Sequence, residues 1–318
     1  MAYDGICVKC GKCKGVCPTY RYTKREDLSP RGRMHLAEIV DRGIELNTSY
    51  QAETCFLCGA CEEVCPQRVR IKDRVIGLRS RSSNLTLTNL KLGFIRFISN
   101  QPELRLMGKK SKMAFFPGCI YPVINGGLVE KVAGYISDIE GGVTVITGVC
   151  CGFPFRVYSK NYRFDEKVFE GYDCVVTICA TCSSELKRRL GKERVIDFVE
   201  FIGVNRDYFR SKYRGIGRFT FHYPCHLVRG IMSKKEVDRI IGYVAGKDYA
   251  PMDEVICCGF GSGNLASLMD VAVDRIISMA RSSELITVSC PSCNISILRA
   301  KYRGAKPIKV SHIADIFG

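Results

Sequence analysis

Two cysteine runs near the N-terminus have the residue types and the spacing that bind iron. They are CVKCGKCKGVCP (7–18) and CFLCGACEEVCP (55–66), and both read C-x2-C-x2-C-x3-C-P. In this pattern three cysteines bind one [4Fe–4S] cluster and the fourth cysteine binds the other cluster. We therefore predict one cluster on Cys7, Cys10, Cys13 and Cys65, and a second cluster on Cys55, Cys58, Cys61 and Cys17. Structural zinc sites are the alternative, but two matching runs that each end in proline favour iron–sulfur clusters.

Ten further cysteines form an internal repeat. The first copy reads FFPGC (115–119), VCCGFP (149–154) and ICATCSSELKRRL (178–190), and the second reads HYPCHL (222–227), ICCGFG (256–261) and SCPSCNISILR (289–299). Each copy offers five thiols, one more than a cubane cluster has irons to bind. Adjacent cysteines point to opposite sides of an extended strand, and the glycine that follows them permits a turn. Five thiolates therefore indicate an unusual cluster, with a bridging thiolate or an iron that carries two.

Other residues near these motifs have more than one interpretation. Cys174, the cysteine left over, lies in the strand-like run YDCVVTI, and we expect it to be a small buried core residue. His226, next to Cys225, is a candidate catalytic residue that would hydrogen-bond a cluster sulfur or a substrate thiolate, with helix capping as the alternative. His222 is expected in the core. GFGSGN (259–264) is not a nucleotide-binding G-x-G-x-x-G loop, so its N–H groups are expected to donate to the cluster.

The elements that must position these cysteines are strands and short helices. In the first copy the cysteine groups follow the β-like runs MAFF, VTVIT and DCVVTI, and in the second they follow FTFHY, DEVI and LITVS. Each C-x-x-C leads into a helical pattern. Strands that end at site residues, with helices between them, predict a small α/β domain in each copy. The loops at the carboxyl ends of parallel strands would then bring the cysteines together.

The stretch between the two N-terminal runs predicts a helix. SPRGRMHLAEIVDRG (29–43) has Ser29 as N-cap, Pro30 in the first turn and Gly43 as the stop. The fold class is therefore multidomain, with an α-helical ferredoxin domain followed by two small α/β cysteine-rich domains related by the internal repeat. We predict the ferredoxin domain at 1–78, a helical linker at 79–112, and the cysteine-rich domains at 113–212 and 213–318. A membrane-surface helix is the alternative for the linker.

Composition limits the partners. Among 318 residues there are 19 cysteines, and the N-terminus MAYDGICVKC lacks a signal-peptide pattern, so we expect a cytoplasmic chain whose reduced thiols bind metal. We find no apolar run long enough to span a membrane, so a partner subunit would provide any membrane attachment. The net charge of +16 is spread along the chain without a nucleic-acid-binding motif. We expect no nucleic acid, and the basic residues would offset the negative charge of thiolate-ligated clusters.

The combination of motifs resembles the family of the D subunit of heterodisulfide reductase. Its relatives are the iron–sulfur subunits of glycolate and lactate oxidation and the C subunit of anaerobic glycerol-3-phosphate dehydrogenase. The resemblance covers nearly the whole chain and includes SPRGR (29–33) and HYPCHL. It implies two CCG domains with non-cubane [4Fe–4S] clusters. One cluster would be held by Cys119, Cys150, Cys151, Cys179 and Cys182, and the other by Cys225, Cys257, Cys258, Cys290 and Cys293.

The resemblance also implies an activity. A flavoprotein or a cytochrome b-like membrane subunit would supply electrons through the two cubane clusters to the CCG clusters, which would reduce a small-molecule disulfide bound between them. The alternative is an electron-relay subunit of a membrane-associated, quinone-linked dehydrogenase for glycolate, lactate or glycerol-3-phosphate. Zinc at one CCG site is the alternative cofactor. Two departures from the family concern the substrate pocket: the stretch 152–174 leaves little room for a full helix, and Tyr223 stands where an acidic residue is common.

Overall fold

The N-terminal part of the chain is helical. The computed structural model describes residues 5–81, 86–158, 164–262, 266–280, 283–301 and 308–318. Residues 5–81 form helices α1 (Pro18–Thr23), α2 (Pro30–Asp41), α3 (Ser49–Glu53), α4 (Ala60–Glu63) and α5 (Ile71–Arg81), with 3₁₀ turns at Lys12–Lys14 and Glu26–Leu28. Helix α2 confirms the helix predicted between the cysteine runs, and Ser29 accepts its capping hydrogen bond from the Gly32 amide. We call residues 5–81 the N-terminal module.

The first repeat copy is built on a mainly parallel sheet. Helix α6 (Thr86–Ile98) leads to strands β1 (Glu103–Gly108), β2 (Met113–Phe116), β3 (Gly142–Thr147), β4 (Cys174–Thr177) and β5 (Val195–Asp197). The helices are α7 (Tyr121–Ile124), α8 (Gly126–Glu140), α9 (Phe153–Tyr158), α10 (Ala180–Leu190), α11 (Phe198–Val204) and α12 (Arg206–Ser211). The strand order is β1-β3-β2-β4-β5, and β2 to β5 run parallel. The carboxyl ends of these four strands therefore lie at one edge of the sheet.

The stretch 79–112 differs from the predicted helical linker. Helices α5 and α6 occupy its first part, but Glu103–Gly108 is strand β1, which pairs antiparallel with β3 from Glu103↔Thr147 to Gly108↔Gly142. Most of its side chains are exposed. The helical interpretation is wrong for this strand. Leu104 and Leu106 alternate with charged residues as in a strand, but both leucines are about half exposed, so the alternation does not mark a buried face.

The second repeat copy has a smaller sheet. Its strands are β6 (Phe219–Phe221), β7 (Leu285–Val288) and β8 (Lys309–His312), which run parallel in that order. Its helices are α13 (Cys225–Val228), α14 (Lys234–Ala245), α15 (Ala266–Met279) and α16 (Pro291–Lys301). The strand predicted for DEVI (253–256) is absent from the described structure, where a single bridge joins Phe219 to Tyr249. That prediction is wrong because β6 pairs with this stretch only at Tyr249, before DEVI begins.

The helix after the CCG motif distinguishes the two copies. Helix α9 has 6 residues, whereas α15 has 14, in line with the short stretch 152–174. The 3₁₀ turn Glu166–Phe169 is the next element described before β4. Val157 of α9 belongs to the same buried cluster as Met34, Leu57 and Val75. The shortened helix therefore packs against the N-terminal module.

The two sheets share one hydrophobic core. It includes Phe115 and Val176 from the first copy and Phe221 and Ile286 from the second. The C-terminal residue Phe317 returns to the first copy, where its ring lies 4.9 Å from the ring of Phe209. The two copies therefore pack as one body beside the N-terminal module. None of the helices in the described ranges combines the length and apolar character that a membrane crossing requires.

Candidate metal centres

The two N-terminal cysteine runs fold into matching loops. Lys9 and Leu57, at equivalent positions, have φ angles of 55° and 54°, and Gly11 and Gly59 have φ angles of 81° and 80°. Both runs therefore make the same two left-handed turns, the second of which glycine adopts without steric cost. The amide nitrogen of Leu57 lies 3.4 Å from its acceptor, Cys55 Sγ. In this turn a backbone N–H donates to the cysteine sulfur, and the thiols of the run can face one shared site.

The structure brings the eight cysteines of these runs together in two sets. One small cavity is lined by Cys7, Cys10, Cys13 and Cys65. A second is lined by Cys17, Cys55, Cys58 and Cys61. These are the two sets that the crossed spacing predicts, with the fourth cysteine of each run beside the other run. We call them the distal set and the proximal set, respectively.

The raised pKa values of these thiols suit sites that bind metal ions. Burial raises the pKa of Cys13 to about 11, and the neighbouring Cys7 and Cys10 add to the rise. Burial also raises the pKa of Cys61 well above its usual range. Thiols crowded in this way resist becoming thiolates on their own, and metal binding supplies the positive charge that makes deprotonation favourable. The all-sulfur donor sets therefore fit iron–sulfur clusters.

In the first repeat copy, three loops at the carboxyl edge of the sheet carry the five thiols. Cys119 follows β2, Cys150 and Cys151 follow β3, and Cys179 and Cys182 stand at the start of α10. Hydrogen bonding with Cys119 and Cys151 raises the pKa of Cys150 well above its usual range. The predicted glycine turn is present: Gly152 has a φ of 87°, and its amide donates to Cys150 Sγ at 3.4 Å.

The second repeat copy presents its five thiols in the same way. Cys225 begins α13, Cys257 and Cys258 precede the 3₁₀ turn Phe260–Ser262, and Cys290 and Cys293 stand at the start of α16. Cys257 Sγ lies 3.8 Å from Cys225 Sγ. The Gly259 amide donates to Cys257 Sγ at 3.5 Å. This amide donates to a thiol of the set, whereas donation from the GFGSGN stretch to a cluster stays a prediction and positions 263 and 264 lie outside the described residues.

The five thiols of the second copy, which we call the second CCG set, open onto one cavity; the five thiols of the first copy are the first CCG set. This cavity has a volume of about 150 Å³. The first copy contributes Phe153, Pro154 and Thr181 to the wall, and the N-terminal module contributes Phe56, Leu57 and Arg79. No thiol of the first CCG set lies on this wall. The resemblance implies a substrate bound between the two CCG clusters, whereas this cavity is lined by the thiols of one set. We call this space the reaction cavity.

The four thiol sets are arranged in series. Cys58 of the proximal set and Cys257 of the second CCG set line one cavity, and hydrogen bonding with Cys257 lowers the pKa of Cys58. Hydrogen bonding with Cys179 is the largest cause of the lowered pKa of Cys290, so the second CCG set touches the first. The order from the N-terminal surface inward is distal, proximal, second CCG and first CCG. The closeness of the proximal set to the second CCG set, and of the two CCG sets to each other, suits electron transfer along this series.

His226 lies between two cavities, inside helix α13 rather than at a helix cap. It lines the reaction cavity and a neighbouring cavity of about 310 Å³. Its Nδ1 lies 3.2 Å from Thr181 Oγ1 and 3.9 Å from Cys225 Sγ. Burial is the largest single influence and lowers the pKa of His226, but the charge and hydrogen bond of Cys225, together with the charge of Cys290, leave the pKa above its ordinary value. Sequence reasoning missed Thr181, whose position inside the C-x-x-C of the first copy was its only signal.

One sequence interpretation is confirmed with an addition, and one needs correction. His222 is buried as expected, but it is more than a core residue, because a ring nitrogen and the thiols of Cys258 and Cys293 lie within 4.8 Å of one another. Cys174 is half-buried rather than buried. It opens β4 beside Met113 at the start of β2, at the sheet edge opposite the ligand loops. Cys174 is partly exposed because it begins its strand at this edge. The sequence pattern predicts the strand but not which of its ends reaches solvent.

The departure at Tyr223 concerns packing rather than the thiols. Its hydroxyl donates to the carboxylate of Asp238 in α14 and lies 3.0 Å from the hydroxyl of Tyr249. The carboxylate of Asp238, from helix α14, therefore lies beside the position where an acidic residue is common in the family. Tyr223 is not on the wall of the reaction cavity.

Arg79 joins the N-terminal module to the second copy, and sequence reasoning missed it. Its Nη2 donates to Cys55 O at 2.6 Å and to Gly261 O at 2.7 Å, and its Nε donates to Ala52 O at 3.0 Å. The side chain is 2% exposed. A signal was present in α5, because Arg79 follows Ile71 and Val75 at helical spacing on the same apolar face.

Comparisons with known proteins agree with this organisation. Residues 5–69 match the 4Fe-4S dicluster domain, and residues 113–187 and 219–298 match the cysteine-rich CCG domain. The chain is 26% identical to the B subunit of fumarate reductase (CoM/CoB) from Methanothermobacter marburgensis, over 98% of this chain and 71% of that protein. No solved structure matches the chain.

Two other relatives are oxidoreductase subunits. The chain is 22% identical to the D subunit of dihydromethanophenazine:CoB–CoM heterodisulfide reductase from Methanosarcina acetivorans, over 92% of this chain and 88% of that protein. It is also 22% identical to the glycolate oxidase iron–sulfur subunit of Escherichia coli, over 80% of this chain and 78% of that protein.

Proposed function

This chain belongs to the family of the heterodisulfide reductase D subunit and the glycolate oxidase iron–sulfur subunit, and on that premise we propose that it is the subunit of an oxidoreductase complex that reduces a disulfide. One observation carries the proposal: all five thiols of the second CCG set face one cavity together with His226. A site built only to pass electrons onward needs no such space beside its ligands.

The proposed cofactors follow from the donor sets. Cubane [4Fe–4S] clusters would be bound by the distal and proximal sets, and non-cubane [4Fe–4S] clusters by the two CCG sets. Sulfur-only sites select iron–sulfur clusters or zinc, and a structural zinc ion takes four ligands rather than five. When bound, the clusters supply transfer of one electron at a time. Zinc at one CCG site remains the alternative.

The reaction requires electrons, protons and an enclosed site. Two electrons and two protons cleave one S–S bond and yield two thiols, and a flavoprotein or a cytochrome b-like partner supplies the electrons. Phe56, Phe153 and Phe260 line the reaction cavity and would exclude water from the disulfide. His226 is placed to give a proton to a departing thiolate, while Thr181 Oγ1 holds the ring through Nδ1. His226 is thus the proposed proton donor among the residues of this chain.

The neighbouring cavity suggests the charge of the substrate. Its basic residues are Arg70, Lys72, Arg156, Lys187, Arg188 and Lys192, and its acidic residues are Glu62, Asp73 and Glu185. The Glu185 carboxylate, 2% exposed, is paired with Arg156 and Arg188 at 3.1 and 2.6 Å. The cavity therefore keeps a net positive charge beside His226. A small-molecule disulfide with anionic groups is the proposed substrate class.

The distal set is the proposed entry point for electrons. Cys10 is exposed, unlike the buried thiols of the second CCG set. A partner that docks on the N-terminal module would therefore reach the distal set first. We place the complex in the cytoplasm, with any membrane attachment provided by the partner.

The second candidate is an electron-relay subunit of a flavin dehydrogenase. The similarity to the glycolate oxidase iron–sulfur subunit favours it. In that case the distal set would receive electrons from a dehydrogenase partner and the CCG sites would pass them toward quinones. The reaction cavity would then bind no disulfide.

Metal analysis and a thiol response test the proposal. The anaerobically purified chain should hold about sixteen irons, four for each of four clusters. Added thiol under oxidising conditions should produce a paramagnetic signal, and reduced dye should drive disulfide cleavage. Cys174→Ala is the matched control, because this cysteine lies outside all four sets and its loss should leave the iron content unchanged.

The outcomes separate the candidates. Full iron content with no thiol signal and no turnover of any anionic disulfide would favour the relay subunit. About twelve irons with zinc making up the difference would mean that one CCG set holds zinc.

A further inference from the structure

The internal repeat provides a comparison within one chain. Phe116 lies three residues before Cys119, and His222 lies three residues before Cys225. Both follow the same path: Phe116 ends β2, and the His222 amide donates to Thr287 O of β7 at 2.9 Å just after β6. Both side chains are buried, at 0% and 1% exposure. The two CCG sites thus differ at one equivalent buried position, where the first copy has a hydrocarbon ring and the second has an imidazole.

The imidazole of His222 is directed at the thiols. One of its ring nitrogens lies within 4.8 Å of the sulfurs of Cys258 and Cys293. Its Nε2 is buried and has no hydrogen-bond partner within the part of the chain that the structure describes. Buried polar atoms are nearly always paired. The ring therefore approaches two ligand thiols while its buried Nε2 has no partner, which indicates that the partner of Nε2 belongs to the group that these thiols bind.

We infer that His222 donates a hydrogen bond from Nε2 to a sulfur of the group held by the second CCG set, and so raises its reduction potential above that of the first. This rests on the proposed iron–sulfur cluster at the second set but not on disulfide reduction. A hydrogen bond to a cluster sulfur stabilises the more negative, reduced state. Phe116 has no polar hydrogen, so the first site lacks this stabilisation.

Hydrogen bonding accounts for His222 better than direct ligation does. The second set already provides five thiolates, which exceeds the one ligand per iron of a four-iron cluster. An imidazole is therefore not needed to hold the group. The neutral imidazole carries a hydrogen on one nitrogen, and a proton on Nε2 satisfies this otherwise unpaired atom.

A higher reduction potential at the second CCG site would determine where electrons reside in the chain. The second CCG set is the one in contact with the proximal set through Cys58 and Cys257, and it is the one that faces the reaction cavity. A higher potential at this site draws electrons out of the N-terminal module and holds them next to the substrate. His222 is therefore a positioning residue that acts through the thiols.

The test is a redox titration of the full chain that follows paramagnetic signals. The signal of the second CCG site is the one that Cys258→Ala removes. His222→Phe reproduces the residue of the first copy and should shift the midpoint potential of that signal to more negative values, with iron content equal to wild type. His222→Gln returns an N–H donor of similar reach and should recover part of the shift. Tyr223→Phe is the matched control, because its hydroxyl bonds to Asp238 and Tyr249, and it should leave the potential unchanged.

Two results would overturn the inference. An unchanged potential in His222→Phe with full iron content would mean that His222 only packs. Loss of metal from the second site in His222→Phe, with the other signals intact, would make His222 a direct ligand. Failure of the underlying cluster assignment is recognised separately, because wild-type protein would then contain zinc and lack the signal that Cys258→Ala removes.

Discussion

Arg79 tests how strongly the N-terminal module is attached to the reaction cavity. Its buried guanidinium donates to carbonyls on both sides of the junction, of which Cys55 O at 2.6 Å and Gly261 O at 2.7 Å are the closest. Arg79→Met keeps much of the side-chain volume and removes every donor. Hydrogen bonds from charged groups contribute about 1.5–3 kcal/mol each. We therefore expect the free energy of unfolding to fall by about 3–5 kcal/mol.

Arg74→Met is the matched control for this substitution. Arg74 lies in the same helix and pairs with Asp41 at 2.7 Å, but the two side chains are 48% and 44% exposed. Exposed ion pairs contribute about 0–1 kcal/mol. The same change of side chain in the same helix should therefore have a small effect, which isolates the contribution of the buried junction.

The assay is the rate of unfolding under anaerobic conditions, because cluster loss prevents refolding and makes the rate the useful measure. A loss of about 3 kcal/mol corresponds to roughly a hundredfold faster unfolding if the junction opens in the transition state. Electron transfer from the proximal set to the second CCG site should also slow. Equal unfolding rates for Arg79→Met and Arg74→Met would refute the interpretation of Arg79 as a buried junction.

Three further predictions concern the site. Cys10→Ser should lower the iron content by about four and leave the CCG signals in place, and loss of all signals together would contradict separate sites. Cys258→Ala should abolish disulfide reduction while dye still reduces the N-terminal clusters, and wild-type turnover in this variant would contradict the catalytic role of the second CCG set. Because its pKa is raised, His226 stays protonated to higher pH than an ordinary histidine. Disulfide reduction should therefore decline only as pH rises through that raised pKa. His226→Asn should be slower at low pH and should lack the decline, and an unchanged pH profile would exclude His226 as the proton donor.

The thiol sets were predictable because the spacing that defines them is local. Cys7, Cys10 and Cys13 lie within seven residues of one another, and a chain this short has few ways to direct three thiols to one side. The glycines after Cys150–Cys151 and Cys257–Cys258 likewise announce the turn that adjacent cysteines need, and both adopt positive φ angles. Helix α2 was predictable for the same reason, since Ser29, Pro30 and Gly43 mark its ends.

Strand pairing was less predictable because it depends on distant partners. Strand β1 has only a short apolar alternation, at Leu104 and Leu106, and its hydrogen bonds to β3 establish it as a strand. DEVI has a suitable composition, yet no partner strand extends to it in the described sheet. The same limit applies to Cys174, whose exposure depends on which end of the sheet its strand begins.

The sequence by itself determined which residues can bind metal and that they occur in two runs and two repeat copies. Only the tertiary structure decided that all five thiols of the second CCG set face one cavity. That cavity is assembled from Phe56, Thr181 and Cys258, which belong to three different parts of the chain. His222 and Arg79 acquire their roles in the same way, because a buried polar group is defined by what surrounds it. Ligand spacing is a property of neighbouring residues, whereas the partners of a buried nitrogen or guanidinium are set by how separate elements pack.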